Sequence, residues 1–267
     1  MNPKMLLFDL DGTLLTSKRV VSPATVTAIK SCKCNGYRIG FITARARSKK
    51  NIRLLDGLPC DFIAFYNGAE IYVENRLRES NAIPYKQAAS MLRRINEDFP
   101  GIEISVYQEP WSYSTVSGEV WHMELGEKRK CNLSELPDCD VQRIRLESDL
   151  LDSVPLQGYM ISESTFFRSV FGDAIIVHKN ANKGYAVKKA AASFGISLDK
   201  IIAFGDDIND IDMLKIVGIG VAMGNAVSEV KKIAHYVTET NDCDGVAVWI
   251  NEYLISNIEG NASCSKN

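Results

Sequence analysis

Apolar residues in this chain come in short unbroken runs that end in charge. Met5-Leu6-Leu7-Phe8 stops at Asp9, and Ile201-Ile202-Ala203-Phe204 stops at Gly205-Asp206. An unbroken run marks a strand covered on both faces, as in the middle of a parallel sheet. Tyr37 to Thr43, with Ile39, Phe41 and Ile42 apolar, and Asp61 to Tyr66 read as two more strands. Helices are predicted between them. Ser22 before Pro23 is a helix start, an N-cap followed by a residue that suits the first turn, and Asn35-Gly36 is the stop. A basic helix is expected from about Ser48 to Leu55. The same rhythm returns at Lys183: a helix to Phe194 stopped by Gly195, the strand at 201–204 and a short helix from Asp210 to Val217. A strand at Ile219 to Ala222, a helix at Ser228 to Ala234, a short strand at Tyr236 to Thr238 and a last helix at Val246 to Leu254 complete it. Strand alternating with helix predicts an α/β fold with right-handed crossovers.

From about Ala69 the period changes. Pro84 to Phe99 reads as one amphipathic helix with Ala88, Met91, Leu92 and Ile95 on a face. Ile102 to Val106, Glu119 to Leu125 and Val141 to Leu146 alternate instead, which predicts antiparallel strands with one wet face. The expected architecture is a doubly wound, Rossmann-like parallel-sheet core, residues 1–69 and 181–267, with an inserted α+β domain at 70–180. The polar tail after Ile258 is expected to fray.

Composition narrows the class. Of 267 residues, 46% are hydrophobic and 24% charged, which excludes a disordered, collagen-like or coiled-coil chain. The formal net charge of −2 leaves no basic excess for general nucleic-acid binding. Charge is uneven, however: residues 1–80 carry 13 basic and 7 acidic side chains. A basic first segment favours an anionic substrate, or is simply a solvated surface, and the residues leave both open. No apolar run nears the ~20 residues that span a bilayer, and Met1 to Leu7 is too short for a signal peptide. The 7 cysteines are scattered without a Cys-x-x-Cys pair, so reduced thiols in a cytoplasmic protein are expected. The 3 histidines lie far apart, which speaks against a histidine-based metal site or nucleophile.

Four features fall at the ends of predicted parallel strands, where ligands bind in open α/β sheets. In Asp9-Leu10-Asp11-Gly12-Thr13, alternate residues can set two carboxylates about 6–7 Å apart. Clustered carboxylates repel unless a cation lies between them, and oxygen ligands suit a hard ion such as Mg²⁺. Thr43-Ala44-Arg45 offers a hydroxyl and backbone amides to an anion at a following helix start, although a threonine N-cap explains Thr43 equally well. Lys183-Gly184 opens a helix, where a lysine is either a surface residue or a site residue. Gly205-Asp206-Asp207-Ile208-Asn209-Asp210 holds three acids and an amide after a buried strand. Asp206 is placed to bind a metal, with Asn209 and Asp210 one turn later on the same side. The order of all four is the specific signal.

These four segments together resemble the ordered motifs of the haloacid dehalogenase-like hydrolases. Asn67-Gly68-Ala69, Asp210-Ile-Asp-Met-Leu214, Ala222-Met-Gly-Asn-Ala226 and Asp244-Gly-Val246 resemble those of the Cof-type (subfamily IIB) phosphatases. The resemblance covers about 1–70 and 181–255, and the insert matches the family's cap only by position and size. It implies a Mg²⁺-dependent phosphatase acting on a small phosphorylated substrate, with no nucleic-acid or membrane partner, as a monomer or weak homodimer. Asp9 is then the nucleophile and Asp11 the general acid/base. Leu10, Thr43, Ala44, Lys183 and Asn209 hold the phosphoryl group. Asp9, the Asp11 carbonyl, Asp206 and Asp210 form the metal site. Ala44 departs from the glycine frequent at its position. A phosphomannomutase-like phosphotransferase and a non-catalytic sugar-phosphate-binding regulator are the rival readings. Trp111, Tyr113, Trp121, His122 and Arg168 are candidates for substrate contact from the insert, or for its core.

Overall fold

Met5–Phe8 forms strand β1 with all four side chains buried, and it lies inside the larger of two sheets. The computed structural model describes residues 4–109, 111–116, 128–169 and 172–256. After β1 the chain forms α1 (Pro23–Cys34), β2 (Arg38–Ile42), α2 (Lys49–Arg53), β3 (Phe62–Phe65), β4 (Glu70–Val73) and β5 (Arg76–Ser80). Then follow α3 (Tyr85–Asp98), β6 (Glu103–Gln108), β7 (Trp111–Ser114), β8 (Lys128–Lys130), β9 (Arg143–Glu147), β10 (Ser164–Arg168) and β11 (Ala174–His178). The last elements are α4 (Lys183–Phe194), β12 (Ile201–Gly205), α5 (Ile211–Ile216), β13 (Ile219–Ala222), α6 (Ser228–Ile233), β14 (Tyr236–Val237) and α7 (Gly245–Ile250).

The larger sheet runs β14-β13-β12-β1-β2-β3-β4-β5 and is parallel from β14 to β3. Helix α1 packs on α7, and α4 on α5, so the predicted parallel-sheet α/β architecture is observed. Helix starts follow local chemistry. The Ser22 side chain accepts from the Thr25 N–H, and Gly195 ends α4 at φ 62°. The centre is aromatic: Phe8 stacks on Phe204 at 5.1 Å, and Trp249 of α7 meets Phe204 edge-on at 5.4 Å. Burying each such side chain is worth roughly 1.5–3 kcal/mol.

This sheet does not stop at residue 69, the boundary the sequence reading sets. It continues antiparallel through the hairpin β4–β5 to Ser80. The connecting Glu74 and Asn75 have φ of 50° and 63°, the mirror-image turn that suits strand twist, formed without the glycine that usually announces it. Strand β5, Arg76-Leu-Arg-Glu-Ser80, is mostly exposed and has no apolar period to read. Its charges protect the sheet edge from pairing with another chain.

The second sheet runs β10-β11-β9-β6-β7-β8, antiparallel except between β7 and β8. Helix α3 buries the predicted Ala88, Met91, Leu92 and Ile95 in a core of its own with Ile104, Val106, Ile144, Leu146 and Ile176. The inserted α+β unit is thus separately cored. The strand expected at Glu119 to Leu125 lies outside the described residues. Among the described residues no helix is long and apolar enough to cross a membrane, and the six described cysteines are free.

Candidate active site

Strands β1, β2 and β12 are neighbours, and the polar residues just past their ends converge. Asp9 leaves β1 with its N–H bonded to the Phe204 carbonyl at 3.1 Å and is buried. Lys183 is the first residue of α4, whose N-cap Asn182 accepts from the Tyr185 N–H. The sequence leaves this lysine between surface and site. The structure buries it to 1% exposure, with Nζ donating to Asp9 Oδ1 at 2.5 Å and to Asp210 Oδ1 at 2.5 Å.

Asp210 is fully buried, and its other oxygen accepts from the N–H groups of Asp206 (2.9 Å) and Asp207 (3.1 Å). The acidic loop therefore folds around its own last carboxylate. A Cβ on Gly205 would lie 2.6 Å from Asp210 Cβ, so only glycine fits there. Asp206 Oδ1 accepts from the Thr13 hydroxyl at 2.6 Å. Gly12, at φ +78°, lets the first loop press against it: a Cβ there would stand 2.2 Å from Asp206 Oδ2.

One carboxylate oxygen each from Asp9, Asp206 and Asp210 lies within 4.8 Å of the others. Burial pushes the Asp9 carboxyl well up, against the pull of Lys183 and with the push of Asp210 and Asp206. Burial likewise lifts Asp206 to about 7, opposed by its bond from Thr13 and aided by Asp210. Burial works to lower Lys183, but the charges of Asp210 and Asp9 win and raise it. Three carboxylates thus share one ammonium. An all-oxygen donor set short of positive charge fits a hard divalent cation.

Asp11 stands apart from this cluster. Its carboxylate oxygens accept from Arg45, Nε to Oδ2 at 2.7 Å and Nη2 to Oδ1. Thr43 does not cap a helix. Its hydroxyl accepts from the Arg45 N–H at 3.0 Å, and α2 begins only at Lys49, capped by Ser48. The expected anion site at a helix start is therefore a loop instead. The N–H groups of Leu10 and Ala44 find no protein acceptor among the described residues.

Two features go beyond the sequence reading, which names Arg45 without a role and Asn67-Gly68-Ala69 only as a family resemblance. Arg45 is one, a long charged side chain buried to 1% exposure. Its signal was an arginine three residues past the end of an apolar strand. The other is Tyr66-Asn67-Gly68, with three successive positive φ values of 51°, 58° and 116°. The strained turn is held by the loop after β2: the Tyr66 N–H bonds to Arg45 O at 3.0 Å and the Asn67 N–H to Thr43 O at 2.8 Å. Asn209 reaches it too, Nδ2 to Asn67 Oδ1 at 3.4 Å, while Asn209 Oδ1 is buried with no partner among the described residues.

The inserted unit seats on this loop. Arg143 Nη1 donates to Ala44 O at 3.3 Å and lies 4.5 Å over the Tyr107 ring. The Tyr66 hydroxyl donates to Glu109 at 2.7 Å. Of the five residues proposed from the sequence, Tyr113 is in the insert's core and Trp111 stacks under Arg129. Arg168 pairs across the sheet beside Ala174 and donates to Leu151 O, at the sheet end away from Arg143. Trp121 and His122 lie outside the described residues.

Known proteins resemble this chain over most of its length. A putative phosphatase of Haemophilus influenzae is 29% identical over 93% of this chain and 97% of its own. The pyridoxal phosphate phosphatase of Escherichia coli is 26% identical over 96% of this chain and 100% of its own. A Thermotoga maritima crystal structure superposes with a TM-score of 0.83 at 25% identity, covering 94% of this chain and 97% of that one. The haloacid dehalogenase-like hydrolase model matches residues 6–250, spanning both sheets and every residue of the cluster. The match spans more than nine-tenths of the sequence, so the chain belongs to the haloacid dehalogenase-like hydrolases, in their Cof-type branch of phosphoric monoester hydrolases.

Proposed function

We propose that this chain is a Mg²⁺-dependent phosphatase of small phosphorylated metabolites that works through an aspartyl-phosphate on Asp9. The observation that carries it is Asp9 itself, buried at the end of β1 between Lys183 and the carboxylates of Asp206 and Asp210. Phosphate monoesters are among the slowest esters to hydrolyse, with accelerations up to ~10²¹-fold on record. Division into two displacements lowers each barrier. An Asp9 oxygen attacks phosphorus, the bond to the leaving alkoxide breaks, and Asp11 gives that alkoxide its proton. Asp11 then takes a proton from water, which attacks the same phosphorus and releases Asp9 and inorganic phosphate.

The unclaimed N–H groups of Leu10 and Ala44, the Thr43 hydroxyl and Lys183 are the donors for the phosphoryl oxygens. Asp9, Asp206 and the Asp11 carbonyl would hold the metal. Asp210, whose oxygens are already bonded to Lys183 and two backbone amides, keeps that shell in place. When bound, Mg²⁺ supplies neutralisation of charge on the transferring phosphoryl group. Residues 81–180 act as a cap that excludes water and chooses the leaving group. We read the protein as cytoplasmic and as a monomer or weak homodimer.

The test is turnover of para-nitrophenyl phosphate with Mg²⁺, with EDTA, and with Mg²⁺ restored. It is followed by a screen of sugar phosphates, nucleotides, flavin mononucleotide and pyridoxal phosphate, the last chosen for the Escherichia coli relative. Full activity in EDTA sinks the metal assignment. No turnover of any ester with Mg²⁺ makes the chain a binder rather than an enzyme.

A further inference from the structure

We propose that Arg45 is the positioning residue of Asp11. It fixes the orientation from which that carboxylate trades protons with the leaving group and with water. The inference rests on the phosphatase reading above and adds a residue to it.

The two members of the pair are unequal. Arg45 has a side chain 1% exposed, while that of Asp11 is 44% exposed on the loop after β1. The guanidinium fork meets both oxygens of the carboxylate, the arrangement that fixes a plane as well as a distance. Arg45 is itself pinned. Its Nη1 donates to Asn51 Oδ1 at 2.9 Å, and Asn51, also buried, donates from Nδ2 to Ala46 O at 2.9 Å. Its N–H donates to the Thr43 hydroxyl at 3.0 Å, and its carbonyl accepts from the Tyr66 N–H at 3.0 Å. So the anchor belongs to β2, α2 and the turn after β3, and the half-exposed aspartate is the member free to move.

An unheld aspartate at this exposure samples several staggered rotamers. Proton transfer depends on the fraction of time spent in the right one. The fork removes that search. It also explains why a fully buried arginine stands beside a phosphoryl site yet faces the acid/base carboxylate rather than the Asp9 cluster.

Arg45→Lys keeps the charge and loses the fork. The experiment compares it with wild type on an alkyl phosphate, whose leaving group needs a proton, and on para-nitrophenyl phosphate, whose leaving group does not. Rapid quenching separates the first burst from steady turnover. Steady-state kcat on the alkyl phosphate is expected to fall about 10- to 100-fold. The para-nitrophenol burst should slow less than about threefold, because Asp9 attack needs no proton transfer, and KM should hold within about twofold. Asn51→Ala, which loosens the anchor and leaves the ion pair's own groups intact, should give the same pattern more weakly, with melting temperature followed in both.

A rise in KM with kcat unchanged would make Arg45 a substrate ligand and overturn the proposal. Equal slowing of burst and steady state would overturn it as well, since that is the signature of general damage. Wild-type turnover of both esters with Mg²⁺ checks the phosphatase reading separately, and its failure removes both.

Discussion

Each sheet of this protein carries a buried cation between carboxylates, and the two clusters do different things. In the larger sheet Lys183, at the start of α4, lies between Asp9, 174 residues away in sequence, and Asp210, 27 residues away. In the second sheet Arg145 is bonded to Asp173 at 2.6 Å and to Glu147 at 2.8 Å. Arg145 sits within β9, opposite Ile175 of β11 and Ser105 of β6; its bond to Asp173, just before β11, ties two neighbouring strands, and its bond to Glu147 stays within β9. The Lys183 cluster lies beyond the sheet, past the ends of β1 and β12. It gathers a third carboxylate, and burial with mutual repulsion raises Asp9 and Asp206. A buried ion pair is by itself weak evidence of function or stability. What separates a site from a staple here is three mutually close carboxylates past β1 and β12, with Asp9 and Asp206 pushed up by burial.

Removing one acid from each cluster should therefore break different properties. Asp9→Asn deletes the nucleophile and a metal oxygen, and kcat is expected to fall on the order of 10⁴–10⁶-fold. The melting temperature should change little, because Lys183 keeps Asp210. Steady-state turnover and thermal melts of the same preparation check both. Asp173→Asn takes an anionic partner from a buried guanidinium, at a cost of about 3 kcal/mol. That should lower the melting temperature on the order of 5–10 °C, with kcat of the folded protein unchanged. An Asp173→Asn enzyme with wild-type stability and lost turnover would reverse the assignment.

The two clusters were not equally legible. Asp9 and Asp206 could be read because each closes an apolar run, where a carboxylate has little structural reason to exist, and Asp210 because it lies one turn after Asp206 on the same side. Lys183 could be placed only through the order of motifs, since helix-start lysines are usually solvated. Arg45 was passed over because a buried role depends on Asp11 from another strand, a pairing no local pattern carries. The β4–β5 hairpin escaped because its turn lacks glycine and its outer strand is polar. In the insert, α3 was plain from its period, whereas Arg168 failed as a site candidate because register alone sets which end of the sheet it occupies.

The seam between the two regions is the next test. Arg143 carries the insert onto the Ala44 carbonyl and stacks on Tyr107. Arg143→Ala loses a hydrogen bond and a cation–π contact, about 1–2 kcal/mol together. The expected outcome is a 5- to 10-fold rise in KM for the preferred substrate. Each unit keeps its own core, so the melting temperature should shift by no more than about 2–4 °C. Unchanged KM across the substrate panel would detach the insert from substrate choice.

The smallest effect should come from Glu109, which joins the seam by accepting from the Tyr66 hydroxyl. Burial raises its carboxyl above the ordinary 4.5, offset in part by that hydrogen bond and by Arg47. The sign follows from linkage. When the folded pKa lies above the unfolded one, the folded state binds more protons through the interval between them. The associated stability is fully present below pH 4.5 and is lost as pH climbs through the raised folded value. Glu70, raised mainly by burial and by Glu109 itself, works in the same direction across the seam. Glu109→Gln keeps the acceptor for Tyr66 and removes the ionisation. Its melting temperature should gain on wild type as pH rises from 4 to 8, by on the order of 1–2 °C because the group is partly solvated. A variant whose melting curve tracks wild type at every pH would show that Glu109 is ionised at no cost, and that charge does not weaken the seam between the two regions.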